Sequence, residues 1–248
     1  MAIRIQSGSQ ATVGPSGSQA TVGPNTVTDG LIVYLDAANP NSYVSGSSTW
    51  IDLSRSRNNG NLNNGPTFSS ANGGNIVFDG INESITIPYS GSTANNYTFN
   101  IVMKSNTMDS NVNNRQALFG LSNNGTSTFR TFNLEIWGNT GRGFRGTGGS
   151  VNNVDYFTYT WTPTADANNI NIYTVTLNSA GQQIYVNGVL RNTISQAYVA
   201  NFNTIRLATR VSDNWWNGSC YTFSMYNRIL TPQEILQNYN AIKTRFGL

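Results

Sequence analysis

The chain has no histidine, one cysteine, and lysine only at Lys104 and Lys243. Each scarcity removes a class of chemistry. Without histidine there is no Ser-His-Asp or Cys-His nucleophile, no side chain that ordinarily titrates near neutrality, and no usual zinc ligand. The lone Cys220 can form neither an internal disulfide nor a thiolate cluster. It sits in the strand-like run Cys220-Tyr-Thr-Phe-Ser-Met225 and reads as a buried thiol. Charged residues make up 10% of the 248, against roughly a quarter in ordinary soluble domains. The formal charge is +3, and the arginines are too scattered to indicate nucleic acid. Arg142-Gly-Phe-Arg145, the densest basic spot, reads as a solvated loop. No apolar run approaches a membrane span, so no membrane partner is expected. Met1-Ala-Ile-Arg-Ile-Gln6 lacks the cationic start and apolar centre of a secretory signal. The chain is therefore expected to be made in a reducing cytosol.

What the chain has in abundance is asparagine, at 37 positions. With glycine, serine and threonine it takes over exposed sites, giving a surface polar through amides and hydroxyls. The most informative stretch is Ile172 to Arg191. Tyr173, Val175 and Leu177 alternate with Ile172, Thr174 and Thr176, which is the two-faced pattern of a strand. Asn178 to Gly181 supplies turn chemistry. Ile184 and Val186 then alternate with Gln183, Tyr185 and Asn187. Asn187-Gly188 is the strongest short hairpin signal, because a type I′ turn needs positive φ at both central residues. Three strands within about twenty residues leave no room for a helix, so the class is antiparallel β.

Further strand patterns fall at Leu31–Leu35, Thr49–Leu53, Asn75–Asp79, Ser84–Pro88, Tyr97–Met103, Ala117–Leu121, Thr128–Trp137, Tyr156–Trp161, Thr204–Ala208 and Ser219–Tyr226. More than ten strands predict an all-β sandwich of two curved antiparallel sheets. Ser54 to Asn61 reads as a polar loop. One helix is expected, over 231–246. Thr231 caps it, Pro232 suits its first position and Glu234 completes a capping box. Ile235, Tyr239, Ile242 and Phe246 form one apolar stripe, expected against one end of the sandwich. Ahead of this domain, placed at 29–248, residues 1–28 form an extended arm. Ser7-Gly-Ser-Gln-Ala-Thr-Val-Gly-Pro15 recurs unchanged as Ser16 to Pro24. Two units are too few for a solenoid. The arm has too little apolar surface to offset its ordering entropy alone.

Several segments together resemble the concanavalin A-like, laminin G-like jelly-roll family. They are Gly30-Leu-Ile-Val-Tyr-Leu-Asp36, Trp50-Ile-Asp-Leu-Ser54 with Asn59-Gly-Asn-Leu62, Ile76-Val-Phe-Asp-Gly80 with Ser84-Ile-Thr-Ile87, Gln183-Ile-Tyr-Val-Asn-Gly-Val189, and Phe223 to Thr231 before the helix. The resemblance covers about residues 29 to 248 and implies a jelly-roll sandwich. Domains that open this way look like those of bacteriophage structural proteins. The family also includes lectins, adhesion modules and appendages of glycoside hydrolases, so the fold alone does not assign function.

Chemistry is sparse. Gly141-Arg-Gly-Phe-Arg-Gly146 has dinucleotide-loop spacing, but no helix pattern follows and it reads as a glycine-rich turn. Glycoside hydrolysis needs two carboxylates. In Phe132-Asn-Leu-Glu-Ile-Trp137, Glu135 stands alone, with Trp137 and Asn139 next on its face. No catalytic residues and no cofactor are assigned. The resemblance implies that calcium could bind through aspartates at strand ends, of which Asp36, Asp52, Asp79 and Asp213 are candidates; such residues more commonly cap turns. Asp213-Asn-Trp-Trp-Asn-Gly218 has the composition of a sugar site, an aromatic platform of Trp215 and Trp216 with Asp213. The competing reading puts one Trp in the core and the other over a sheet end.

The leading expectation is a non-enzymatic bacteriophage virion protein, a capsid decoration protein assembled in the host cytoplasm. Its arm (Ile3, Arg4, Ile5, Val13 and Val22 as anchors) would dock on the major capsid protein, other virion subunits or further copies of itself. The alternative is a glycan-binding module of a tail, fibre or adhesin that uses Asp213, Trp215 and Trp216 on a surface glycan.

Overall fold

A computed structural model describes residues 25–91, 96–106, 116–122, 130–137, 143–146, 169–195, 202–210 and 214–248. These form fifteen strands: β1 (Leu31–Asp36), β2 (Thr49–Trp50), β3 (Gly60–Asn63), β4 (Thr67–Ser69), β5 (Asn75–Asp79), β6 (Ser84–Pro88), β7 (Tyr97–Ser105), β8 (Gln116–Ser122), β9 (Arg130–Trp137), β10 (Gly143–Gly146), β11 (Asn171–Asn178), β12 (Gly181–Val186), β13 (Val189–Ile194), β14 (Thr204–Leu207) and β15 (Asn217–Tyr226). One sheet has the order β13-β12-β11-β7-β15-β5-β4, with β1 also paired to β15; the other has the order β10-β9-β8-β14-β6-β3-β2. Every pairing is antiparallel. This is the two-sheet sandwich of a concanavalin A-like jelly roll.

The alternation seen in the sequence becomes an inside and an outside. Val175, Leu177, Ile184 and Val186 point into the sandwich with Phe99, Phe119, Phe132 and Phe223. Phe119 meets Phe99 at 5.2 Å, Phe132 at 5.6 Å and Phe223 at 6.1 Å between ring centres, so aromatic contacts join the two sheets. Asn187 and Gly188 adopt φ of 52° and 77° between Val186 and Val189, as a type I′ turn requires. Asn178 Oδ1 accepts from Ala180 N and Gly181 N in the preceding turn. Cys220 is buried, and burial pushes its thiol pKa up, which keeps it in the unreactive form.

The α-helix, α1 (Pro232–Ile242), starts at Thr231 with the capping box formed, and a 3₁₀ turn over Lys243–Phe246 follows it. It packs on the outer face of the eight-stranded sheet rather than at one end of the sandwich. Val102, Ile172 and Tyr221 form an apolar patch on that face, and Tyr239, Ile242 and Phe246 cover it. Asn238 anchors the helix from within. Its Oδ1 accepts from Val27 N at 2.9 Å and its Nδ2 donates to Tyr226 Oη at 3.1 Å, while Tyr226 Oη donates to Val27 O at 3.0 Å.

Three strands depart from the sequence expectation. Gly60–Asn63 and Thr67–Ser69 pair as β3 and β4, although each contributes one apolar side chain, Leu62 or Phe68, to the core. Gly143–Gly146 is strand β10 against β9, not a turn. In all three, backbone pairing to a neighbouring strand supplies what side-chain pattern does not. The Tyr156–Trp161 segment and the arm positions Ile3, Arg4, Ile5, Val13 and Val22 lie outside the described residues. No helix among the described residues is long and apolar enough to cross a membrane.

Candidate functional site

The outer face of the seven-stranded sheet is polar. Because side chains alternate, burying Ile85, Ile87, Ile205, Leu207, Phe132 and Leu134 turns their neighbours outward. Strand register then lines up one cross-strand row, Asn61–Thr86–Arg206–Gly120–Asn133, over β3, β6, β14, β8 and β9. The adjacent row contains Pro88, Thr204 and Ser122.

Half of this face is covered. Gly120 interrupts the row, and the backbone at Arg210 lies across the gap; a Cβ on Gly120 would stand 2.6 Å from Arg210 O. That crossing brings Arg210 Nη1 to 3.8 Å from Glu135 Oε1, with the Glu135 side chain 1% exposed. Glu135 therefore sits beneath a chain segment, opposite a guanidinium, rather than open to a substrate.

The other half opens into a groove of about 680 Å³ lined by Arg57, Asn58, Asn59, Asn61, Pro88, Tyr89, Ser90, Asn203 and Thr204. Its volume lies within the usual range for ligand clefts, roughly 300–1,000 Å³. One wall is held by Asp52, which is fully buried. Asp52 Oδ1 accepts from Tyr34 N at 2.7 Å and Ser54 N at 2.8 Å; Oδ2 accepts from Ser54 Oγ and Asn58 N, both at 2.7 Å. Burial raises the Asp52 carboxyl pKa above its ordinary range, and these hydrogen bonds oppose the shift. Asn58 Nδ2 donates to Ile32 O at 2.9 Å, and Asn59 Oδ1 accepts from Asp52 N at 2.9 Å. The wall is thus pinned to β1. Tyr89 lines the groove from below, its ring stacked on Phe202 at 5.2 Å. Among the described residues, Arg57 is the only charged one in the lining. A smaller hollow of about 370 Å³ beside α1 is lined by Asn25, Gln233, Leu236, Gln237, Asn240 and Ala241, with no aromatic or charged group among these described residues.

The residues singled out by sequence do not assemble. Trp216 is fully buried, with Nε1 donating to Ser105 Oγ at 2.9 Å and the ring 5.8 Å from Phe78. It is a core residue, and a sugar cannot reach it. Trp215 is partly buried, and Asp213 lies outside the described residues. Trp216 N bonds to Ala208 O, whereas the groove borders Thr204. Four residues of strand, about 13 Å, separate the two ends. The aspartates proposed for calcium are also dispersed. Asp36 Oδ1 meets Arg245 Nη1 at 2.8 Å, Asp52 is enclosed as above, and Asp79 Oδ1 accepts from Ile81 N at 2.7 Å. No three acidic or thiol side chains gather among the described residues. The groove itself was missed. The signal for it was the amide run Asn58-Asn59 and Asn61 beside Arg57, read only as a polar loop.

The family model described as the concanavalin A-like lectin/glucanases superfamily matches residues 78–236. The chain belongs to this superfamily. No curated protein matches the sequence. Among solved structures, a Trypanosoma rangeli sialidase in complex with sialic acid is 15% identical with a TM-score of 0.67, over 95% of this chain and 36% of that one. The binding domain of botulinum neurotoxin DC in complex with SialylT gives 15% and 0.67, over 87% and 52%. The binding domain of Paraclostridial mosquitocidal protein 1 gives 16% and 0.66, over 86% and 52%. The chain thus spans a third to a half of these proteins, and the likeness is one of fold.

Proposed function

We propose that this domain is a non-enzymatic glycan-binding module and that its sugar lies in the amide-lined groove over β3, β6 and β14. The groove lining carries the proposal. Asn58, Asn59, Asn61 and Asn203 offer amide donors and acceptors, Ser90 and Thr204 offer hydroxyls, and the Asp52 contacts fix the wall before any ligand arrives. Sugar hydroxyls need this mixture of donors and acceptors on a preformed surface. Membership of a lectin-containing superfamily and a fold shared with a sialic-acid complex support the reading.

Hydrolysis has less support. The seven strands of this sheet contain a single carboxylate, Glu135, and it faces Arg210 under the crossing segment. Glycosidases use a pair about 5–10 Å apart. The virion reading rests on an arm whose residues 1–24 lie outside the described structure, and no described feature favours it over sugar binding.

The test is a glycan array probed with the full chain, followed by calorimetry on any sugar retained. Asn61→Ala with Asn203→Ala should weaken binding at least tenfold without lowering the melting temperature. Absence of any bound glycan, or full affinity in that double variant, would remove the proposal.

A further inference from the structure

Four arginines among the described residues are partly buried: Arg206, Arg210, Arg228 and Arg245. Three of them face a carboxylate. Arg210 meets Glu135 at 3.8 Å, Arg228 meets Glu234 at 2.7 Å and Asp29 at 2.9 Å, and Arg245 meets Asp36 at 2.8 Å. Arg206 has no such partner among the described residues. Its Nη1 donates to Thr86 Oγ1 at 3.3 Å. That hydroxyl already accepts from Asn63 Nδ2 at 3.0 Å, so both of its lone pairs are taken. Arg206 Nε is buried with no acceptor. Removing a guanidinium from water without an anion beside it is costly, and the same burial lowers the Arg206 pKa. The Arg206 guanidinium thus has more donors than its neighbour Thr86 satisfies.

Its position matters as much as its lack of a partner. Arg206 stands in the row with Asn61, which lines the groove, and two residues along the same strand face from Thr204, which also lines it. Among the described residues, the groove lining has a cation, Arg57, and no carboxylate. Arg206 is not itself in that lining; it is partly exposed one row over, where an anion reaching past Asn61 and Thr204 would meet a planar fork of N–H donors, the geometry that pairs two-pronged with a carboxylate.

We propose that the sugar bound in this groove is anionic, a carboxylate- or sulfate-bearing glycan, and that Arg206 is the residue that reads its charge. This rests on the glycan-binding reading above. The measurement is calorimetry of the full chain against oligosaccharides that share a neutral core and differ by one sialic acid, one uronic acid or one sulfate. The acidic member of at least one pair should bind tenfold or more tighter, with a preference that shrinks as salt rises. Arg206→Gln should abolish the preference, so that the acidic and neutral members of each pair bind alike. Arg206→Lys, which keeps the charge and loses the fork, should retain the sulfate preference better than the carboxylate preference; it also serves if the glutamine variant does not fold, as judged by its melting temperature. Equal binding of neutral and acidic sugars by the native chain would overturn the charge reading and leave glycan binding standing. A preference that survives in the folded Gln variant, or in the Lys variant without loss should Gln not fold, would overturn the role of Arg206. Failure to bind any sugar would remove both proposals together.

Discussion

The Trp216 indole nitrogen donates to Ser105 Oγ at 2.9 Å inside the core, where the whole ring is fully buried. Its neighbour Trp215 is only partly buried. Two adjacent residues of the same type therefore do different work. Trp216→Ala should cost about 3–5 kcal/mol by leaving a large cavity and an unpaired Ser105 hydroxyl. Trp215→Ala should cost about 1 kcal/mol. Neither should change sugar affinity at temperatures where the variant is folded, because the groove borders Thr204 rather than Ala208. Urea denaturation and calorimetry check the two halves of this statement separately.

Acid should destabilise the start of α1 first. Glu234 receives Arg228 Nη2 at 2.7 Å and Nη1 at 2.9 Å, and Thr231 N at 2.8 Å. Arg228 is the largest cause holding the Glu234 carboxyl at a pKa of about 2, below its ordinary 4.5. A depressed carboxyl pKa means the folded state holds the proton less tightly than the unfolded one. The stabilisation is then complete above pH 4.5 and is lost as the pH falls toward 2. Glu234→Gln should therefore lower the melting temperature at pH 6 and have little effect at pH 2.5. A variant that lost equal stability at both values would show that the ion pair contributes nothing.

Much of the fold was legible before the structure, and the reason is periodicity. Strands such as Asn171–Asn178 and Gly181–Val186 bury one face, so their side chains must alternate, and the Asn187-Gly188 turn names its own backbone conformation. The Thr231 and Glu234 capping pair marked the helix start for the same kind of local reason. Gly60–Asn63 carries one partly buried apolar side chain and a polar outer face, so its strand status depends on partners ten to twenty-five residues away. The groove was hidden for a related cause. Asn58, Asn61 and Asn203 come together only through pairing of β3, β6 and β14, and no local pattern encodes that pairing. Composition offers Trp215 and Trp216 as a sugar platform or as one core and one covering residue; Trp216 is in the core, because burial is decided by which of two neighbours points inward.

Gly120 tests the crossing segment. An added Cβ would lie 2.6 Å from Arg210 O and 2.7 Å from Asn133 Oδ1, both closer than van der Waals contact permits. Gly120→Ala should displace the backbone near Arg210 and cost about 1–3 kcal/mol. The displacement should also separate Arg210 from Glu135, so hydrogen exchange at residues 208–210 should accelerate while the β6 amides stay protected. Unchanged exchange at 208–210 would mean that the segment does not rest on this glycine.

Asp52 links stability to binding. Each of its carboxylate oxygens takes two hydrogen bonds, and Asn58, one of the donors, belongs to the groove wall. Asp52→Asn keeps the shape but turns one oxygen into a donor. The least costly orientation sets the new amide nitrogen against Ser54 Oγ, which can rotate, and Asn58 N, which cannot. The Asn58 amide is then left without its acceptor, at about 1–3 kcal/mol. If that wall must be preformed to meet a sugar, affinity should fall as well, because part of the binding energy goes into reordering residues 57–59. The two effects are separable. Thermal denaturation reports the stability loss, and calorimetry well below the melting temperature reports the affinity of chain that is still folded. A destabilised Asp52→Asn protein with native sugar affinity would show that residues 57–59 are scaffold and would move the binding surface toward Asn61, Asn203 and Arg206.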